Sequence, residues 1–503
     1  MDRSGLLGSP RWVTAAYGGD PYAPATPQAD AKEASALMRH LVSEVRRREG
    51  PMSVSEYVRT CLTHPEHGYY MRRDVFGRRG DFVTGPEVSQ VFGELVGVWA
   101  ALAWQRMGSP GAVRLCELGP GRGTLMADVV RVAAQVPGLG AAITGVDFVE
   151  VSPHLRGMQA AMLKCATVNG KETARVAGRE VPVAWHGAIA DVPQGDGVPM
   201  LVLAHEFFDA LPVNLFKRRP VLVHSGEDVL GPWGEVLVDA RPDDAVQGGL
   251  KLVPVTSREE TANCVAQLRP RLGRLGGPAS AAVRQLREVE ICPEGRLVAA
   301  EVASRIARHG GAALWMDYGY EAPRGKFSLA GIREHEFVDP FEDPGGADLS
   351  AHVDFDELAD AALAEARSSG ASTDAGASGS KVVDDLQGGR AQRWRGEKKV
   401  HEVEVHGTVT QRDFLLAMGA PARFEALASR AKTDAERKDL QLAFERLTGG
   451  SDSGAGGEGV SRNAEGMGLS YRFLAVCSAP AQPILPGEDS FEGIFGGKVR
   501  LSG

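Results

Sequence analysis

Two hydrophobic periods divide this chain. Between residues 31 and 48, Leu37, Leu41 and Val45 recur at the 3.6-residue spacing of a helix with one buried stripe. Ser53 followed by Glu56 predicts a capping box opening a second helix. VSQVFGELVGVWAALAW (88–104) is a largely apolar run interrupted by Glu94, and reads as an amphipathic core helix. It falls short of the ~18 uninterrupted apolar residues that a membrane span requires.

From residue 113 the pattern changes to short apolar runs alternating with helical stripes. VRLCEL (113–118), ITGVDFVEV (143–151), VPVAW (181–185), MLVLA (200–204) and GAALWMDYG (311–319) predict strands. TLMADVVRVAAQ (124–135), SPHLRGMQAAMLK (152–164) and GRLVAAEVASRIARH (295–309) predict helices between them. Such alternation implies an α/β fold, a doubly wound parallel sheet with helices on both faces. The expected organisation is a flexible segment 1–30, a helical and lid-forming segment 31–110, a core 111–480 and a flexible tail 481–503. Insertions are expected near 241–290, which has no firm pattern, and near 366–400 and 449–468, which are rich in Ser, Gly and Ala.

Composition changes this picture little. With 503 residues, 43% of them hydrophobic and 24% charged, the chain can bury a large core. A net charge of −9 argues against a nucleic-acid binder working by general basicity. The 6 cysteines include no C-x-x-C pair, so neither a zinc framework nor a disulfide scaffold is indicated. The first 28 residues lack the charged-then-apolar layout of a secretory signal, and with Asp2 and Asp20 they make a weak mitochondrial presequence.

Candidate chemistry begins where the first strand runs into ELGPGRGT. Gly119, Gly121 and Gly123 allow a sharp turn and let a ligand lie against bare main chain, with Glu117 two residues before. The spacing is G-x-G-x-G, not the G-x-G-x-x-G that seats a dinucleotide pyrophosphate. It resembles the first motif of Rossmann-like methyltransferases that use S-adenosylmethionine; a purely structural turn is the alternative. Glu150 ends the second strand, where a carboxylate can accept both ribose hydroxyls of an adenosine, or merely be solvated. Asp191, past the third strand, is a candidate partner for the adenine amine.

GPMSVSEYV (50–58), HPEHGYY (64–70), GDFVTGPEVSQVFGEL (80–95), ELGPGRGTL (117–125), LAHEFFDALPV (203–213), DPGGADLSAHVDF (343–355) and GTVTQRDFL (407–415) together resemble one family. It is that of the mitochondrial complex I assembly-factor arginine methyltransferases (assembly factor seven) and their MidA-like bacterial relatives. The resemblance implies a seven-strand class I methyltransferase fold and S-adenosylmethionine as cofactor. It further implies symmetric dimethylation of an arginine in a core subunit of respiratory complex I (NADH:ubiquinone oxidoreductase), and a mitochondrial matrix location. Gly85 stands where the family often has serine, and Ala330 where an arginine is usual; Arg333 is a nearby substitute.

On this reading the acids that close the fourth strand acquire a task. Glu206 and Asp209 would clamp the guanidinium and aim one nitrogen at the methyl group, with one of them or His205 assisting proton loss. Phe207 and Phe208 would wall the pocket, and GDFVTGPEVSQ would cover the cofactor, with Asp81 and Glu87 as polar contacts. His205-Glu206-x-x-Asp209 lacks the second histidine of H-E-x-x-H, and His64 and His67 have no third ligand nearby, so no metal is expected. Asp317 reads as a hydrogen-bonding sheet end. Two other functions stay open: a non-catalytic complex I assembly chaperone that retains the fold, and a nicotinamide-dependent oxidoreductase.

Overall fold

A computed structural model describes residues 35–72, 84–194, 197–222, 228–242, 250–334, 336–374, 401–449, 467–480 and 490–495. Seven strands form the central sheet: β1 (Val113–Leu118), β2 (Ile143–Val149), β3 (Arg179–His186), β4 (Met200–His205), β5 (Gly311–Tyr320), β6 (Val403–Thr410) and β7 (Tyr471–Ser478). Their order is β3-β2-β1-β4-β5-β7-β6. The first five are mutually parallel, and β7 runs antiparallel between β5 and β6. Every residue of β4 and all but one of β1 are buried, as expected for strands covered on both faces. The direction of winding reverses between β1 and β4, which opens a crevice at their carboxyl ends.

Helices cover both faces. α3 (Gln90–Arg106) and α4 (Thr124–Ala133) pack on one, α6 (Pro293–His309) and α7 (Phe355–Asp374) on the other, while α5 (Pro153–Met162) follows β2. The capping box at Ser53 and Glu56 is formed and starts α2 (Val54–Thr63). Helix α2 and the preceding α1 (Ala36–Arg47) share a core with strands of the insertion that follows β4, through Leu41, Tyr57, Leu215 and Val238.

Of the expected insertion 241–290, residues 250–290 are better ordered than their composition suggests. Strand Leu250–Thr256 pairs with Asp228–Pro242 in an antiparallel sheet that also holds Asn214–Leu222 and Glu288–Ile291. Leu268, Leu272 and Val283 give this insertion a core of its own. The buried Arg271 ties it to the start of α7, with carboxylates of Asp354, Glu357 and Asp356 at 2.7, 2.9 and 3.1 Å. β3 also carries an unanticipated edge, Lys171–Val176 and Ala166–Val168. Its turns, Asn169-Gly170 and Ala177-Gly178, all have positive φ, the geometry of tight hairpins, and Asn-Gly was the available signal.

Helices α8 (Gln411–Ala417), α9 (Ala420–Ala428) and α10 (Asp434–Thr448) lie between β6 and β7. The expected flexible tail from 481 gives way at Ser490–Phe495, a helix whose Phe491 and Phe495 are buried in the core beside Trp99. Segment 366–400 begins inside α7; the rest of it, from 375, and most of 449–468 lie outside the described residues. Among the described residues no helix is long and apolar enough to cross a membrane.

Candidate active site

A cavity of about 360 Å³ opens at the carboxyl ends of the strands. One half is bounded by Gly119, Gly121, Glu150 and the 187–189 turn, the other by Glu206, Asp209, Tyr318, Tyr471, Asp348 and Tyr70.

The first half follows from backbone demands. Gly119 and Gly121 have φ of +59° and +51°, a region that costs any side chain, and a Cβ on Gly119 would lie 2.8 Å from the Phe207 ring. Glu150 lines the cavity and is 7% exposed. Its carboxylate accepts from Ser152 N–H at 2.8 Å and from Gln159 Nε2 at 3.1 Å. The same Gln159 amide donates to Gly121 C=O at 2.7 Å, and Trp185 Nε1 holds its oxygen at 2.8 Å. One buried glutamine therefore locks the glycine loop to the strand-end acid, a link that separations of 38 and 9 residues hid from the sequence.

Other expected cofactor contacts are placed differently. Glu117 points away from the cavity, accepts from Met126 N–H at the start of α4, and is pushed well above the usual carboxylate range by burial. It stabilises the loop from behind. Asp191 is exposed and its carboxylate turns back onto Ala188 N–H at 3.0 Å, so the chain at 187–189 meets the cavity instead. Glu87, in the short helix Gly85–Val88, pairs with Arg122 of the glycine loop at 3.2 Å and does not line the cavity. Asp81 lies outside the described residues.

The second half starts from a strained residue. Glu206 has φ of +49°, uncommon outside glycine, and its N–H donates to Met316 C=O at 2.9 Å. Asp317, inaccessible to solvent, accepts from Phe208 N–H at 3.0 Å and Asp209 N–H at 3.3 Å, and so fixes the turn. Asp209 Oδ2 accepts from Tyr318 at 2.5 Å and Ser350 at 3.0 Å. Tyr70 donates to Asp348 at 2.7 Å. Asp209 Oδ1 and Glu206 Oε1 are buried without a partner.

Burial first, and then mutual repulsion, raise Glu206 and Asp317 well above the carboxylate norm; burial also raises Asp209. The nearby Tyr471 hydroxyl and Gly85 N–H pull Glu206 the other way. Burial lowers His205 to about 3, and its ring packs on Phe92 with centroids 5.0 Å apart. A neutral imidazole of such low basicity is a poor proton acceptor. Arg333, the substitute considered for the arginine usual at 330, pairs with Asp343 at 3.0 Å and does not line the cavity.

Residues 95–372 match the model of a family of S-adenosyl-L-methionine-dependent methyltransferases. The chain belongs to this family. As a methyltransferase it uses S-adenosylmethionine, which excludes the nicotinamide alternative. The cavity has features that suit that cofactor: bare main chain at the glycine loop and a buried acid, Glu150, at the end of β2. The zebrafish Danio rerio protein named "Protein arginine methyltransferase NDUFAF7, mitochondrial" is 36% identical over 447 residues, covering 88% of this chain and 86% of its own. The human protein of the same name is 36% identical over 451 residues, covering 88% and 83%. In fold, the methyltransferase resembles a Burkholderia thailandensis protein solved bound to S-adenosyl-homocysteine. That likeness has a TM-score of 0.60 at 23% identity and covers 91% of this chain and 94% of the other.

Proposed function

We propose that this methyltransferase modifies arginine in a protein, and that the acceptor is a core subunit of mitochondrial respiratory complex I. The observation that carries the reading is the pair of unpartnered oxygens, Glu206 Oε1 and Asp209 Oδ1, on the wall of the cavity that holds the glycine loop. Buried acid oxygens without a hydrogen-bond donor are costly, and a guanidinium supplies donors and charge in a planar fork. The names of the relatives support the arginine acceptor and the mitochondrial location. The complex I subunit, the symmetric dimethylated product and the matrix compartment follow from the family resemblance.

When bound, the cofactor supplies a methyl group on a sulfonium. Asp209 and Glu206 hold the guanidinium so that one nitrogen faces that methyl in near-attack geometry. Glu206 would take the proton that the guanidinium nitrogen loses as it is methylated. Phe207 lines the cavity and excludes water there, while Phe208, expected beside it, is buried in the core against Trp315.

Purified complex I subunits incubated with methyl-labelled S-adenosylmethionine test the proposal. Label on arginine, located by mass spectrometry, is the expected result. Cofactor binding with no label on any subunit would favour the chaperone reading.

A further inference from the structure

We propose that Asp348 is a third acid of the acceptor site, gripping guanidinium N–H groups that Glu206 and Asp209 leave unmet, and that Tyr70 positions it. The inference rests on the arginine reading above and deepens it by adding a binding residue from a distant segment.

Strand Asp348–Ser350 is fastened to the turn that carries the other two acids. Ser350 donates to Asp209 Oδ2 at 3.0 Å, and Ala351 N–H donates to Asp209 C=O at 3.0 Å. Asp348 and Ser350 share one face of the strand, about 6.6 Å apart along it. Leu349 turns the other way, into the core beneath α1 and α2. The register identifies the first face as the one toward the cavity. Ile332 stands directly opposite Asp348 on the antiparallel neighbour Ala330–Arg333, and both line the cavity.

Tyr70, in the short helix Tyr69–Arg72, reaches Asp348 from the N-terminal segment and donates to Oδ1 at 2.7 Å. The carbonyl of the same residue accepts from Ser152 Oγ at 2.8 Å, and Ser152 N–H supports Glu150. One residue thus spans both halves of the cavity, with main chain at the cofactor end and a hydroxyl at the acceptor end.

The chemistry asks for a third carboxylate. An arginine guanidinium carries five N–H donors, more than the unpartnered Glu206 Oε1 and Asp209 Oδ1 can receive. Donors left bare in a closed cavity are costly, and a further acid on the same wall satisfies them. Among the described residues that line the cavity, the only basic one is Arg59, which pairs with Glu294 at 2.7 Å.

The test compares wild type with Asp348→Asn and Tyr70→Phe, each loaded with S-adenosyl-homocysteine. Methylguanidinium binding is measured by calorimetry, and transfer of labelled methyl to complex I subunits is followed in parallel. Asp348→Asn should weaken methylguanidinium about tenfold or more and raise KM, with S-adenosyl-homocysteine affinity within about twofold of wild type. Tyr70→Phe keeps the carbonyl that Ser152 uses, so it should weaken methylguanidinium about fivefold and spare the cofactor end. Wild-type methylguanidinium binding in either variant would overturn the part given to that residue. Equal losses of methylguanidinium and S-adenosyl-homocysteine affinity would mark a structural role and overturn the proposal too. Wild-type protein that binds methylguanidinium but labels no arginine would sink the arginine reading, while the Asp348→Asn binding curve still judges the third acid.

Discussion

At the glycine-loop end of the cavity, the ligand meets main chain and one glutamate that a single buried glutamine ties in place. At the other end it meets carboxyls and tyrosines gathered from the turn after β4, from β5, from β7, from the short helix Tyr69–Arg72 and from strand Asp348–Ser350. The first half is built by backbone geometry, the second by side chains whose charges oppose one another. A nucleoside needs shape and a few hydrogen bonds, so a short contiguous stretch serves it. A guanidinium needs concentrated negative charge, and Glu206 and Asp209 bring it together on one turn. Donors from other elements, Tyr318 and Ser350 on Asp209 and backbone N–H groups on Asp317, hold that turn in place.

If the two halves are separable, substitutions should divide cleanly. The largest effect is expected from Glu206→Gln, which should cut kcat by about 10³-fold and leave S-adenosylmethionine affinity within twofold. Radiolabel transfer and calorimetry on the same preparation decide it, and normal turnover would remove Glu206 from the chemistry. Gly121→Val reverses the pattern. A β-branched residue at φ +51° beside the ligand should weaken the cofactor by about 100-fold, while methylguanidinium still binds.

Gln159→Leu should have a milder effect on the same half. Losing the donor shared by Gly121 and Glu150 should cost about tenfold in cofactor affinity, and an unchanged dissociation constant would show that the bridge is dispensable. The smallest effect concerns stability. Glu290, on strand Glu288–Ile291 of the insertion, accepts from Ser328 and Leu329 N–H, each at 2.9 Å, and burial raises it to about 7. Folded protein therefore keeps this proton where unfolded chain has lost it. Its stabilising contribution is complete below about pH 4.5 and is lost as pH rises through about 7. Glu290→Gln should flatten that loss, by about 3 kcal/mol at most, in melts compared at both ends of the window.

The sequence was a fair guide to one half and a partial guide to the other. Gly119, Gly121 and Glu150 were legible because the turn and the strand-end acid lie within short stretches of known direction. Glu117 and Asp191 were placed correctly along the chain, yet face elsewhere. Leu118 lines the cavity, and its strand neighbour Glu117 points the opposite way, because successive side chains alternate across a sheet. Asp191 found a nearer donor in its own turn. Tyr70 and Asp348 sat inside quoted motifs without an assigned part, since their hydrogen bond spans 278 residues.

What the chain dictates locally is which faces are buried, where the backbone must take positive φ, and which strand ends carry acids. Those follow from side-chain period and steric freedom within a few residues. What only tertiary structure decides is company: that Tyr318 and Tyr471 become neighbours across β5 and β7, that Gln159 reaches two elements at once, and that Asp209 and Glu206 each keep one oxygen free. Such partnerships arise when distant segments pack into one core, and no periodicity along the chain records them.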